Sequence, residues 1–217
     1  MHSQEPQVAT VYIVDDDDSV RRSLSRLMRS AGFEPCCSGS AEQFLRRREW
    51  ARPACLLLDI SMPGMNGLAV QDELARQGQA MPIVFISGHG SVAIATRAMK
   101  SGAVDFLEKP YRPHELLKRV GEALERDRRQ CAARAARAQV LARYASLTHR
   151  ERQVMGYVVR GYLNKQIAAE LGNSEKTVKI HRGRMMEKMS AESVPELVHL
   201  AETVGECDPG AAGIGAT

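Results

Sequence analysis

The chain has 217 residues, enough for one large domain or two of ordinary size. With 44% hydrophobic and 26% charged residues it reads as a soluble globular protein. No apolar run approaches the roughly 20 residues of a membrane helix, so a membrane partner is not expected. The net charge of +4 is unevenly placed. Residues 1–122 carry 15 basic against 15 acidic side chains, residues 123–146 six Arg against Glu125 and Asp127, and residues 147–204 nine basic against seven acidic. That asymmetry points to nucleic acid as a partner of the second half.

The first ten residues, MHSQEPQVAT, lack the basic and apolar regions of a secretory signal, so a cytoplasmic location is expected. Five cysteines, with Cys36 and Cys37 adjacent and Cys55, Cys131 and Cys207 scattered, match neither a disulfide framework nor a zinc site. They read as reduced, structural thiols.

From residue 11 onward, apolar runs alternate with helical patterns. Strands are predicted over 11–14, 33–37, 55–58, 83–86 and 104–107. Between the first two, Val20, Leu24, Leu27, Met28 and Ala31 have helical spacing, and Gly32 stops that helix. Ser40 with Gln43 has capping-box spacing, and Pro113 suits a first helical turn. Alternation of this kind implies a parallel sheet covered on both faces. The helical pattern after Pro113 runs on into an Ala/Arg-rich segment with a poor apolar stripe, which reads as an exposed linker.

An all-helical unit follows. Thr148 with Glu151 caps its first helix, which stops at Gly161. Asn164 is expected to cap a helix through Leu171, Ser174 one to about Met189, and Ser193 with Glu196 a last one ending near Val204. Ile167, Ala168 and Leu171 give one inner face, and Val178, Met185 and Met189 another. Opposite lie Lys176, Thr177, Lys179, His181, Arg182 and Arg184, a basic face of the kind that enters a major groove. His181 could equally be half-buried and structural. Past Cys207, DPGAAGIGAT has too little apolar bulk to fold and is expected to be disordered.

In open parallel sheets ligands gather at the carboxyl ends of strands, near the point where strand order reverses. Asp15 and Asp16 follow the first strand, Asp59 ends the third, Ser87 the fourth, and Lys109 lies just beyond the fifth. In a 2-1-3-4-5 order all converge on one edge. Carboxylates that close repel by about 4 kcal/mol per pair, at ~4 Å and an effective dielectric of ~20. A hard divalent cation such as Mg2+ would offset this and bring phosphate oxygens into its shell. Lys109 offers a charge and Ser87 a hydroxyl to the same phosphoryl group.

Asp15-Asp16, Asp59 with MPGMNG after it, Ser87 and Lys109-Pro110, together with ISGHGSVAIATRAMKSGAVDFLEKPY, resemble the receiver domain of NarL/FixJ-type response regulators. The resemblance implies a flavodoxin-like α/β receiver with a five-stranded parallel sheet of order 2-1-3-4-5. It implies that Asp59 accepts a phosphoryl group from the phosphohistidine of a cognate sensor histidine kinase. Asp15, Asp16, Asp59 and the backbone carbonyl of Ser61 would hold Mg2+, Ser87 and Lys109 would grip the phosphate, and Phe106 would be the aromatic switch. The acidic run continues to Asp17 and Asp18, which read as the start of the first helix rather than as metal ligands.

LTHRERQVM and NKQIAAELGNSEKTVKIHRGRMMEKM resemble the four-helix LuxR-type helix-turn-helix domain. By that resemblance Lys165 would approach a phosphate at a helix N-terminus, while Lys176, Thr177, Lys179, His181 and Arg182 face promoter double-stranded DNA. The expected division is a receiver over residues 8–125, a helical linker over 126–142, a DNA-binding domain over 143–207 and a tail over 208–217. The expected function is a response regulator, not an enzyme beyond slow auto-dephosphorylation. Phosphorylation would promote a homodimer through the segment from Ser91 to the helix after Pro113, and RNA polymerase is a further candidate partner. Two alternatives stand beside it. One is a DNA-binding protein whose receiver is only a phosphorylation-independent scaffold. The other is a haloacid-dehalogenase-like phosphatase built on Asp15, Asp17 and Ser19, which leaves Asp59 unexplained and offers only Glu115 for its later acidic motif.

Overall fold

The computed structural model describes residues 8–47, 49–88 and 92–205. In chain order the elements are β1 (Thr10–Val14), α1 (Asp18–Ser30), β2 (Glu34–Ser38), α2 (Ala41–Leu45), β3 (Ala54–Asp59), α3 (Gly67–Arg76) and β4 (Ile83–Ser87). There follow α4 (Val92–Lys100), β5 (Asp105–Glu108), α5 (Pro113–Ala145), α6 (His149–Val159), α7 (Asn164–Leu171), α8 (Glu175–Met189) and α9 (Val194–Val204). The chain divides into two compact units, Met1–Ala132 and Ala133–Thr217, with the division inside α5. The tail expected to be disordered, 208–217, lies outside the described residues.

In the first unit every strand pairs in parallel, in the order β2-β1-β3-β4-β5. Alternate strand residues enter opposite layers, as a two-residue period requires. Tyr12, Val14, Leu56, Leu58 and Phe85 pack on one face with Phe44 of α2, Val70 and Leu74 of α3 and Ala98 of α4. Val11, Ile13, Leu57, Val84 and Ile86 pack on the other with Leu24 and Met28 of α1 and Leu116, Val120 and Leu124 of α5. The predicted strands stand within about a residue at each end. β5 starts one residue later than expected because its ladder with β4 opens on the pair Val84–Asp105.

Asp127, counted in the sequence only for its charge, is fully buried in this unit. Its carboxylate accepts from the Ala54 backbone N–H at 2.8 Å and pairs with Arg52, fixing α5 against the start of β3.

The second unit is all helical. Leu147, Val154, Met155, Val158, Ile167, Val178, Met185, Met189 and Leu197 form its core, so the inner faces read from helical spacing are the ones buried. Thr148 and Glu151 make the reciprocal capping box expected of them. Asn164 corrects a reading. It does not cap α7, because Gln166 Oε1 reaches back to the Leu163 N–H at 2.8 Å and satisfies the start of the helix. The Asn164 side chain is thereby released and accepts from Arg182 Nη1 of α8 at 2.9 Å.

Candidate functional site

Strand register brings the acids together. Val14 of β1 stands beside Leu58 of β3, so Asp15 and Asp59 are the next neighbours on adjacent strands. Both side chains are almost completely buried, at 3% and 6% exposure. Lys109 Nζ donates to Asp15 Oδ2 at 2.9 Å and to Asp59 Oδ1 at 2.8 Å. Lys109 reaches them because its backbone N–H bonds to the carbonyl of Ser87, the last residue of β4, at 2.7 Å. Ser87 is itself fully buried and follows Ile86, the register partner of Asp59.

The remaining carboxylate oxygens are aimed by the backbone. Asp15 Oδ1 accepts from the Asp17 N–H at 2.9 Å, and Asp59 Oδ2 from the Ser61 N–H at 2.6 Å. Burial works against a charged amine at Lys109, but its hydrogen bonds to Asp59 and Asp15 outweigh it and hold the amine above its ordinary range. Two buried carboxylates share one ammonium, so the pocket keeps an excess negative charge.

Asp16 is exposed, next to Asp15 at the rim. Asp17 is the N-cap of α1, accepting from the Ser19 and Val20 N–H groups, and Asp18 opens the helix and pairs with Arg21 and Arg22. The two acids read as helix-starting therefore start the helix, and Asp17 is spent on a cap rather than placed as a second catalytic acid. The bond from Ser19 keeps the Asp17 carboxyl below its usual range.

The donor set suits Mg2+: each inner carboxylate oxygen makes one hydrogen bond and keeps a second lone-pair direction, and Asp16 stands next in chain. Among the described residues no three His, Cys, Asp or Glu side chains are already gathered into a metal-binding group, and Lys109 holds the inner pair instead.

Two participants were not foreseen. Arg21 Nη1 donates to the backbone carbonyls of Asp15 at 2.7 Å and Asp16 at 2.9 Å, holding the acidic loop in place. Tyr111, two residues past Lys109, is half-buried, and burial raises its phenol above the ordinary range, with Lys109, Asp15 and Asp59 all acting on it. Helical spacing could have placed Arg21 under the loop; nothing in the sequence marked Tyr111. Phe106 is half-buried against the β4 face, level with Phe85.

In the second unit Lys165, Lys176 and Lys179 are exposed, while Thr177, His181 and Arg182 are half-buried. Thr177 shares a hydroxyl contact of 2.9 Å with Ser174, the cap of α8, and Arg182 is held by Asn164. Ile180, not singled out beforehand, is 48% exposed between these cations.

Comparison with known proteins covers both units. Residues 11–121 match the family described as response regulator receiver domain, and residues 145–201 match bacterial regulatory proteins, luxR family. Nodulation protein W of Bradyrhizobium diazoefficiens is 47% identical over 204 residues, covering 94% of this chain and 90% of its own. Transcriptional regulatory protein FixJ of Azorhizobium caulinodans is 41% identical, covering 92% and 95%. The solved structure of response regulator StyR is 44% identical with a TM-score of 0.83, covering 90% of this chain and 98% of that one.

Proposed function

Because the chain belongs to the two-component response regulators that join a receiver domain to a luxR-type DNA-binding domain, we propose that Asp59 is its phosphoacceptor. The observation that carries this is the shared contact of Lys109 with Asp15 and Asp59 at the carboxyl edge of the sheet, beside Ser87. An Asp59 carboxylate oxygen attacks the phosphorus of a phosphohistidine on the sensor kinase. The P–O bond forms as the P–N bond breaks, and the electron pair returns to the imidazole nitrogen.

Lys109 follows the phosphoryl oxygens as a point charge, and Ser87 supplies a hydroxyl within the same buried rim. Mg2+, when bound by Asp15, Asp16, Asp59 and the carbonyl of Ser61, supplies the positive charge the site lacks. The backbone bond from Ser61 keeps the Asp59 carboxylate aimed at the opening. The phosphoryl group brings roughly −1.5 to −2 charges, and contacts to Ser87 and Lys109, with repacking of Phe106, favour the active state. Any turnover is limited to slow auto-dephosphorylation.

In the active state two copies pair and place α8 on promoter DNA in the cytoplasm, with Lys176, Thr177, Lys179, His181 and Arg182 toward the groove and Lys165 at a phosphate. The pairing face expected to begin at Ser91 starts outside the described residues, but Val92 at 85% and Met99 at 44% exposure support α4. RNA polymerase is the partner the bound dimer would recruit. The proposed domain limits are 8–125, 126–142 and 143–207.

Incubation with Mg2+ and acetyl phosphate should add one phosphoryl mass to the wild type and none to Asp59→Ala, and should raise promoter affinity of the wild type only. Equal affinity for both with no mass gain would favour the phosphorylation-independent scaffold.

A further inference from the structure

Arg21 spends its guanidinium on the loop that carries Asp15 and Asp16. Nη1 donates to the backbone carbonyls of both residues, at 2.7 and 2.9 Å, and Nη2 to Asp18 Oδ1 at 2.9 Å. The Arg21 N–H bonds to the Asp17 carbonyl at 3.0 Å, so main chain and side chain close on the same four residues. From the other side the guanidinium lies against the turn after β2, where a Cβ on Gly39 would stand 3.5 Å from its Cζ. With its side chain only 18% exposed, Arg21 is a packed part of this corner, whereas Arg22, 63% exposed, pairs with Asp18.

The loop gains from such a tie because β1 ends at Val14. Beyond it the Asp15 N–H reaches the Ser38 carbonyl at a long 3.4 Å, and the Asp17 N–H bonds locally to Asp15 Oδ1. Asp16 sits at the exposed rim, and where its carboxylate stands relative to Asp15 and Asp59 is set by the backbone beneath it. A guanidinium there also has an opposite effect, since a fixed positive charge beside a cation site repels the cation. We propose that Arg21 is a positioning residue for the divalent ion: its hold on the Asp15 and Asp16 carbonyls outweighs its charge, so Mg2+ binds more tightly with Arg21 than without it. This rests on the reading of Asp15, Asp16 and Asp59 as the Mg2+ ligands. Arg21 acts through the two carbonyls and not on the ion itself.

Because the two effects carry opposite signs, a titration separates them. MgCl2 is added to the 15N-labelled full chain at constant ionic strength, and the Asp16, Asp17 and Ser61 amides are followed by NMR. Arg21→Met should raise the Mg2+ dissociation constant about tenfold, whereas loss of charge alone would lower it. Arg22→Met removes an equal charge from the same turn without touching the carbonyls, and should leave the constant within about twofold. Arg21→Gln, a milder change to the fold, should show the same weakening as Arg21→Met. In phosphorylation by acetyl phosphate, half-saturating Mg2+ should rise by the same factor in Arg21→Met while the rate at saturating Mg2+ stays near wild type. General loosening of the receiver would not give that split. An unchanged or lower constant in Arg21→Met, or equal weakening in Arg22→Met, would overturn the proposal while wild-type binding stood. Wild type without Mg2+-dependent shifts at Asp16 would instead remove the ligand reading, and the proposal with it.

Discussion

A side-chain carbon at Gly67 would stand 2.4 Å from the carbonyl oxygen of Asp59, closer than real Cβ contacts come. The loop after β3 folds back so tightly that the Gly67 N–H bonds to the Ile60 carbonyl at 3.1 Å, and only hydrogen fits between them. Gly67→Ala must therefore push the backbone that carries Asp59, the proposed phosphoacceptor. It should slow phosphorylation by acetyl phosphate and destabilise the receiver by about 1–3 kcal/mol in urea unfolding. Gly121→Ala, where a Cβ meets nothing within 4 Å in α5, should leave phosphorylation unchanged and add about 0.5–1 kcal/mol. Equal phosphorylation rates for the two variants would refute the steric account.

Lys109 is the counter-charge of two buried acids, so Lys109→Met should cost about 2 kcal/mol of stability in chelator. Mg2+ should restore part of that loss by taking over the neutralisation. The lysine's raised position means its contribution is present below its unfolded value of about 10.4 and fades as pH rises through the folded value. Urea midpoints across pH 7 to 11 should fall more steeply for wild type than for Lys109→Met.

Asp127→Ala removes the acceptor for Ala54 and the partner of Arg52 in a fully buried place. A loss of about 3 kcal/mol is expected. Asp127→Asn keeps an acceptor for the Ala54 N–H and should fall between the two. Indistinguishable urea midpoints for all three would show that this link does not hold α5.

In the second unit burial opposes the Glu151 carboxylate, but the Lys188 amine at 2.7 Å and the Thr148 N–H prevail and hold it below the usual range. A depressed acid stabilises above its unfolded value of about 4.3, and that contribution disappears as pH falls through the folded value. Unfolding of wild type should accelerate below about pH 4.3. Glu151→Gln should be weaker at pH 7 and flatter with acid, a contrast that circular dichroism melts would reveal.

Lys179 is exposed on α8 and makes no ion pair among the described residues. Lys179→Ala should weaken promoter binding for all sequences and flatten the log affinity against log salt slope by about 1. Asn164→Ala, which frees the Arg182 guanidinium, should change promoter affinity without lowering that slope. The same slope in Lys179→Ala as in wild type would remove Lys179 from the interface.

Periodicity and caps made the elements legible from residues alone. Runs such as CLLLD suit strands buried on two sides, and Thr148 with Glu151 marked a helix start by local bonds that need no distant partner. The gathering of Asp15, Asp59, Ser87 and Lys109 at one edge was legible because parallel strand order turns sequence position into spatial position. What local pattern could not carry were side chains whose partners lie far along the chain. Asp127 looks like a surface acid until Ala54 and Arg52 arrive beside it, and Asn164 looks like a cap until Arg182 claims it. Hydrogen bonding and burial at those positions depend on which surfaces meet, and that is decided by the packed fold rather than by neighbours in sequence.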